Sequence, residues 1–265
     1  MLAPGIYPDI SNQDYHKLPY VSNSMLSKIN KCPAAAWVKS ESTDYFTLGS
    51  ATHSLILEGP QAFSESFCVV PQCDRRTKEG KMVYEQFELA NEGKDIISAD
   101  DYNSIVGMRE SVMSHPFSST LLAQGVSEQS VIWEDAETEI LCKCRPDRIP
   151  AGDKGVLVDL KTTQDAGERA FTRSCVSYGY AMQAAFYLDG VTAATGKQFD
   201  AFAFVVVEKT EPYRVECYLL DSDFIAWGRR EYRRLLEIYR QCKTENSFPN
   251  YQSPTLNIIF KPNYL

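Results

Sequence analysis

A mixed β-sheet flanked by helices, in the α/β (α+β) class, is the fold this sequence predicts. Three observations carry that expectation. Helix-like segments fill residues 1–125, short β-rich runs dominate 126–221, and an amphipathic helix with its tail occupies 222–265. With 265 residues and 44% apolar content the chain can bury a substantial core, so the three parts read as one domain over 1–265.

The chain opens on a turn-rich Pro4-Gly5-Ile6-Tyr7. In Val21-Ser22-Asn23-Ser24-Met25-Leu26 a Ser or Asn caps a helix that runs through Ile29 and stops near Cys32-Pro33. Ser22 and Ser24 are plain caps in the simpler account; in the other, their hydroxyls help a helix start hold a phosphate. Leu48 to Glu58 reads as an apolar helix with one polar ring, His53, which by itself suits a core or interface position. Asp74 to Lys81 is the densest basic run, with Arg75, Arg76 and Lys81 leading into a helix from about Met82 to Asn91. A solvated loop and a contact with backbone phosphates account for that run equally well. Asp100 to Met113 forms a further helix, stopped at a structural His115 before Pro116.

Glu128 to Trp133 reads as a strand, with Glu134 to Thr138 as its turn. Leu141 to Ile149 and Val156 to Lys161 follow as a hairpin whose turn, Pro150 to Gly155, is rich in Pro and Gly. Phe171 to Leu188 is helical and places Gln183 and Tyr187 one turn apart on one stripe. Asp200 to Glu208 is apolar enough for a buried strand and returns through Lys209-Thr210-Glu211-Pro212 into a strand from Tyr213 to Leu220. Phe224 to Lys243 is the last helix, with Arg229, Arg230, Arg233, Arg234 and Arg240 on its outer faces as solvating charge.

Charge and cysteine usage narrow the function. A net charge of −8 excludes a generally basic nucleic-acid coat, so DNA contact has to use local cations or metal. The eight cysteines are irregularly spaced and form no C-x-x-C, which speaks against a zinc ribbon or thioredoxin-type motif and for buried thiols in a reducing, cytoplasmic setting. No stretch reads as a secretory leader or reaches transmembrane length, so no membrane partner is expected.

The hairpin carries the chemistry. Antiparallel pairing brings Asp147 towards Asp159, and strand alternation puts Asp159 and Lys161 on one face with Leu160 on the other. Two carboxylates so placed repel, and a hard divalent cation between them relieves the repulsion while leaving positions for water and phosphate. A neighbouring ammonium can hold an attacking water and offset phosphate charge. Asp…Asp-x-Lys is therefore a candidate phosphodiesterase site, although exposed hairpins also carry Asp and Lys simply for solvation.

These residues match the PD-(D/E)-x-K nuclease pattern, and the surrounding sequence resembles the RecE exonuclease family (exodeoxyribonuclease VIII). The matching segments are Pro4-Gly5-Ile6-Tyr7, Asp9 to Asn12, Asp14-Tyr15-His16, the Leu48-Gly49…His53 helix, Arg75 to Lys81, Trp133-Glu134-Asp135, Cys144-Arg145-Pro146-Asp147, Asp159 to Thr163 and Gln183…Tyr187. They run in order across nearly all the chain. The tail, Thr255 to Leu265, departs from the pattern.

That resemblance implies a restriction-endonuclease-like PD-(D/E)XK core. It implies His53, Asp147, Asp159 and the Leu160 carbonyl as metal ligands, for Mg²⁺ with Mn²⁺ as a substitute. Lys161 would activate or orient the attacking water, and Gln183 and Tyr187 would form the Q-x-x-x-Y element beside the catalytic centre. From the residues themselves, Arg75, Arg76, Lys81, Ser22 and Ser24 are the candidate DNA- and phosphate-binding positions. The implied activity is 5′-to-3′ digestion of linear double-stranded DNA by a toroidal homotetramer, leaving 3′ single strands for a RecT-type annealing protein in recombination. Two alternatives stand beside it. Another RecB-like nuclease, of the iron–sulfur kind, needs a C-terminal cysteine cluster, whereas this tail has only Cys242. A catalytically inactive DNA-end-binding protein on the same scaffold is opposed by the complete set His53, Asp147, Asp159 and Lys161.

Overall fold

The chain is described by a computed structural model over residues 2–38, 44–123, 125–152 and 155–251. Asp153 and Lys154 of the expected turn, and the divergent tail Thr255 to Leu265, lie outside the described residues. In order the elements are β1 (Gly5–Tyr7), α1 (Asn12–Lys17), α2 (Asn23–Lys31), a 3₁₀ turn (Pro33–Trp37), α3 (Asp44–His53) continued by a π-turn (Ser54–Glu58), α4 (Pro60–Ser66), β2 (Phe67–Val69), α5 (Lys78–Ala90), β3 (Asp95–Ile97), α6 (Ala99–Ser114) and α7 (Pro116–Ala123). Then follow β4 (Val126–Ser127), β5 (Ser130–Glu134), β6 (Leu141–Cys144), β7 (Arg148–Ile149), β8 (Val156–Thr163), α8 (Glu168–Ser177), α9 (Tyr180–Thr195), β9 (Ala201–Glu208), β10 (Val215–Leu219) and α10 (Ser222–Thr244).

β8 and β9 set the architecture. They pair in parallel from Val156↔Ala201 to Thr163↔Glu208, at the centre of a mixed sheet of order β10-β9-β8-β7-β4 whose other pairings are antiparallel. A parallel pair needs a crossover, and α8 with α9 supplies it. Both faces of the pair are covered. Leu157, Phe202, Phe204 and Val206 pack with Phe186, Tyr232 and Leu235 of α9 and α10, while Val158, Leu160, Val205 and Val207 pack with Leu55, Ile105 and Met108. Two-sided burial is why β9 reads as an unbroken apolar run. Burial of each of these large side chains contributes about 1.5–3 kcal/mol. α10 lies close on α9 because position 228 is glycine: a Cβ on Gly228 would fall 2.1 Å from the Ala181 carbonyl oxygen.

The structure corrects the expected elements at three places. The run Leu141 to Ile149 is not one strand. Pro146, with no N–H to donate, breaks it into β6 and β7, and β6 joins a separate antiparallel sheet of order β1-β5-β6. The helix expected over Phe171 to Leu188 is two helices, divided at Gly179, whose φ of 70° a side-chain-bearing residue adopts only with strain. The arginines of α10 do more than solvate it. Arg229 grips Asp189 through Nε and Nη2 at 2.7 and 2.8 Å, and Arg233 pairs with Asp135, which is buried.

His115 is structural as expected, its Nδ1 accepting the Ser118 N–H at the start of α7. All eight cysteines are free thiols. Among the described residues, no helix is long and apolar enough to cross a membrane.

Candidate metal centre and active site

The site is assembled from β8 and the segments that abut it. Strand alternation turns Asp159 and Lys161 towards α9, where Gln183 meets both: its Nε2 donates to Asp159 Oδ1 at 2.7 Å and its Oε1 accepts from Lys161 Nζ at 3.2 Å. Asp147 follows the Pro146 break, one residue ahead of the Arg148↔Val158 pairing, so it lies opposite Asp159. Its Oδ2 accepts the Leu160 N–H at 2.6 Å. His53 closes α3 where the helix widens into the π-turn, a distortion that recurs at functional sites, and its Nδ1 lies 3.4 Å from Asp147 Oδ2.

Glu128 completes the cluster. It sits at the corner between β4 and β5 with φ of 54°, and its N–H donates to the Asp147 carbonyl at 3.4 Å. One ligand atom from each of His53, Glu128 and Asp147 lies within 4.8 Å of the others. Arg145 holds Glu128 there: Nε donates to Glu128 Oε2 at 2.8 Å while Nη1 reaches the Ile10 carbonyl and the Ser130 hydroxyl.

Electrostatics at this patch follow from burial and crowding. Burial, then the neighbouring Asp159, pushes the Asp147 carboxyl well above the usual range. Burial and Asp147 raise Glu128 to about 7, against the pull of His53 and Arg145. Burial also lowers His53, favouring the neutral imidazole, although Glu128, Asp159 and a hydrogen bond with the Leu160 backbone pull the other way. For Lys161 burial acts downward, but Asp159, Asp147 and Tyr180 together outweigh it and keep the ammonium charged.

A divalent cation fits these residues. Asp159 is 1% exposed, and its Oδ2, 2.5 Å from Lys161 Nζ, has no well-directed hydrogen bond. His53, Glu128 and Asp147 converge as a donor set of hard oxygens with one nitrogen, and the Asp159 oxygen stands opposite Asp147 at its edge.

Residues 22–256 match the family described as a PDDEXK-like domain of unknown function (DUF3799). The chain belongs to this PDDEXK-like family. No curated protein matches it. Among solved structures, a protein of Eubacterium rectale whose exonuclease assignment is provisional is 13% identical, with a TM-score of 0.58 over 96% of this chain and 94% of that one. That likeness shows a shared fold. An alkaline exonuclease from Laribacter hongkongensis is 12% identical with a TM-score of 0.32, over 89% of this chain and 97% of that one.

In this PDDEXK-like chain, His53, Asp147, Asp159, Lys161 and Gln183 come together. Leu160 joins them through its backbone. Tyr187, the second half of the Q-x-x-x-Y element, is half-buried with its ring edge-on to Phe202, centroids 6.4 Å apart, and makes no hydrogen bond to the carboxylates among the described residues. Ser22 caps α2, accepting the Met25 N–H at 3.3 Å, and its hydroxyl lies 2.9 Å from that of Ser24. Arg75, Arg76 and Lys81 are exposed at the start of α5; Arg75 stacks 3.8 Å from the Tyr84 ring centroid. None of these three bonds to the carboxylate cluster.

Glu128 is the member that sequence reasoning missed. It heads a strand-like run and carries no motif spacing. The available signal was the arginine of Cys144-Arg145-Pro146-Asp147: a guanidinium flanked by apolar residues calls for an acid partner.

Proposed function

We propose that this chain is a divalent-metal-dependent DNA nuclease, acting as one domain over 1–265, and within that class a RecE-type 5′-to-3′ double-strand exonuclease that leaves 3′ overhangs for strand annealing. The convergence of His53, Glu128 and Asp147 beside the buried Asp159–Lys161 pair supports the nuclease reading. A divalent cation, Mg²⁺ or Mn²⁺, supplies Lewis acidity towards a phosphoryl oxygen and acidifies water. His53 would hold it through neutral imidazole, and Asp147, Glu128 and Asp159 through carboxylate oxygens.

The remaining chemistry belongs to the chain. Lys161 keeps its proton and faces the developing phosphoryl charge, where a fixed ammonium in a low-dielectric patch needs no reorganisation. Gln183 fixes Asp159 and Lys161 relative to each other, so the attacking water and the phosphate meet one geometry. The complete set opposes an inactive end-binding role. Polarity, the homotetrameric toroid, the RecT-type partner and a cytoplasmic setting rest on the sequence resemblance.

Digestion of end-labelled linear duplex with Mg²⁺, Mn²⁺ or chelator tests this. Chelator-sensitive release of mononucleotides, 5′ label first, is expected. Absence of metal-dependent hydrolysis overturns the nuclease; release of the 3′ label first overturns the polarity alone.

A further inference from the structure

Next to Lys161 the site opens into a cavity of about 590 Å³. Strand β8 contributes Lys161, Thr162 and Thr163 to its lining. Helix α8 contributes one stripe, Ala170, Arg173, Ser174 and Ser177, set at helical spacing. Tyr178 and Tyr180 also line it, their rings 5.7 Å apart and tilted by 34°.

Three properties of this lining point to one class of ligand. Arg173 and Lys209 line the cavity with a single acid, Asp165, while Lys161 is paired with Asp159 behind it, so in a chain whose net charge is −8 the lining itself carries more cations than acids. Thr162 and Ser177 add hydroxyls to the lining as donors that phosphate oxygens accept, whereas Thr163 and Ser174 donate theirs to the Asp165 and Ala170 carbonyls. Tyr178 is 68% exposed and offers an aromatic side chain to water beside the cations. Cations for phosphate and an open ring for a base are the two elements by which unpaired strands are held without sequence preference. Lys161 ties the cavity to the carboxylates. Its ammonium borders both the carboxylates and the cavity, so a strand whose scissile phosphate lies at the carboxylates places a neighbouring nucleotide in the cavity.

We propose that this cavity is the subsite for the deoxynucleotide adjoining the scissile phosphate, with Arg173 pairing to a phosphate and Tyr178 stacking on the base. The assignment rests on the nuclease reading above. Arg173 and Tyr178 are exposed and outside the carboxylate cluster, so neither is needed for folding or for holding metal.

The test uses the full chain in chelator, with fluorescence anisotropy of a 5′-phosphorylated single-stranded DNA dodecamer carrying a 3′ fluorophore. Arg173→Ala and Tyr178→Ala are each expected to weaken binding roughly tenfold. Arg173→Ala should also flatten the salt slope by about 0.7, and Tyr178→Ala should leave it unchanged. Competition with a deoxynucleoside 5′-monophosphate separates sources: displacement of the strand assigns the subsite to the released nucleotide, and failure to displace assigns it to a nucleotide still within the strand. Wild-type affinity in both variants overturns the proposal. If wild type nonetheless digests DNA, the nuclease reading stands without this subsite; a wild type with no metal-dependent hydrolysis removes that reading, and the scissile-phosphate assignment with it.

Discussion

The Asp147 carboxylate accepts the Leu160 backbone N–H at 2.6 Å, which ties one buried acid to the strand that carries Lys161. The Asp147 and Asp159 carboxyls are thereby held near each other whether or not anything lies between them. Proximity is enforced by backbone geometry, and its electrostatic cost remains in the folded chain without metal.

Asp147→Asn isolates that cost. The amide oxygen can still accept the Leu160 N–H, while the carboxyl whose charged form burial and Asp159 disfavour is gone. In chelator the variant should be as stable as wild type or up to about 1 kcal/mol more so, and with Mg²⁺ its hydrolysis should fall at least a hundredfold. Thermal melts and initial rates check both, and a lower melting temperature in chelator would contradict the repulsion.

In the proposed function Lys161 serves charge and water positioning, not metal binding. Lys161→Ala should lower the hydrolytic rate by about 10²–10³ while leaving divalent-metal affinity close to wild type, because Gln183 still anchors Asp159. Calorimetric metal titration beside single-turnover rates distinguishes the two effects. A large loss of metal binding would make Lys161 part of the ligand support instead.

His53 and Glu128 belong to one ligand set if they respond alike. His53→Ala and Glu128→Gln should each raise the Mg²⁺ concentration for half-maximal rate about tenfold or more. The Glu128 variant is the more informative, since Glu128 lies outside the Asp…Asp-x-Lys spacing and is joined to it only in three dimensions. An unchanged metal titration for Glu128→Gln would return it to a structural partner of Arg145.

Arg145 has an 11% exposed side chain and bridges Glu128, Ser130 and the Ile10 carbonyl. Arg145→Lys keeps the charge but loses the fork that reaches three acceptors. Stability should drop by about 2–3 kcal/mol, and metal affinity should fall with it as Glu128 loses its support. Urea midpoints and metal titration report the two consequences separately, and an unperturbed titration would detach Arg145 from the site.

Local pattern made much of this legible before the structure. β9 reads as a strand because both its faces are apolar, and the two-residue period alone puts Asp159 and Lys161 together. Ser22 reads as a cap because a cap bonds within three residues. What escaped depends on contacts the local pattern does not contain. Glu128 meets Arg145 across 17 residues and Arg233 meets Asp135 across 98. Pro146 lies inside the run that reads as one strand, and nothing nearby says that the pieces on either side enter different sheets.

The acid limb of stability should run through Glu208, at the end of β9. It is 3% exposed, accepts from Arg214 Nε and from the Ala166 N–H at 2.8 and 2.9 Å, and so anchors the loop leading into α8. The Arg214 hydrogen bond first, then the Ala166 N–H, hold its carboxyl below the usual glutamate value against the upward effect of burial. A depressed folded pKa means the unfolded chain takes up the proton first as pH falls. The stabilisation is therefore fully present above the ordinary glutamate value of about 4.3 and is lost as pH drops through the folded value. Glu208→Gln should cost about 1 kcal/mol near neutrality, a modest figure because Arg214 is largely exposed. Below the folded value wild type and variant should converge. Urea denaturation of both at neutral and acidic pH measures the difference directly, and a gap that stays constant across that range would mean that Glu208 acts through packing and not through its charge.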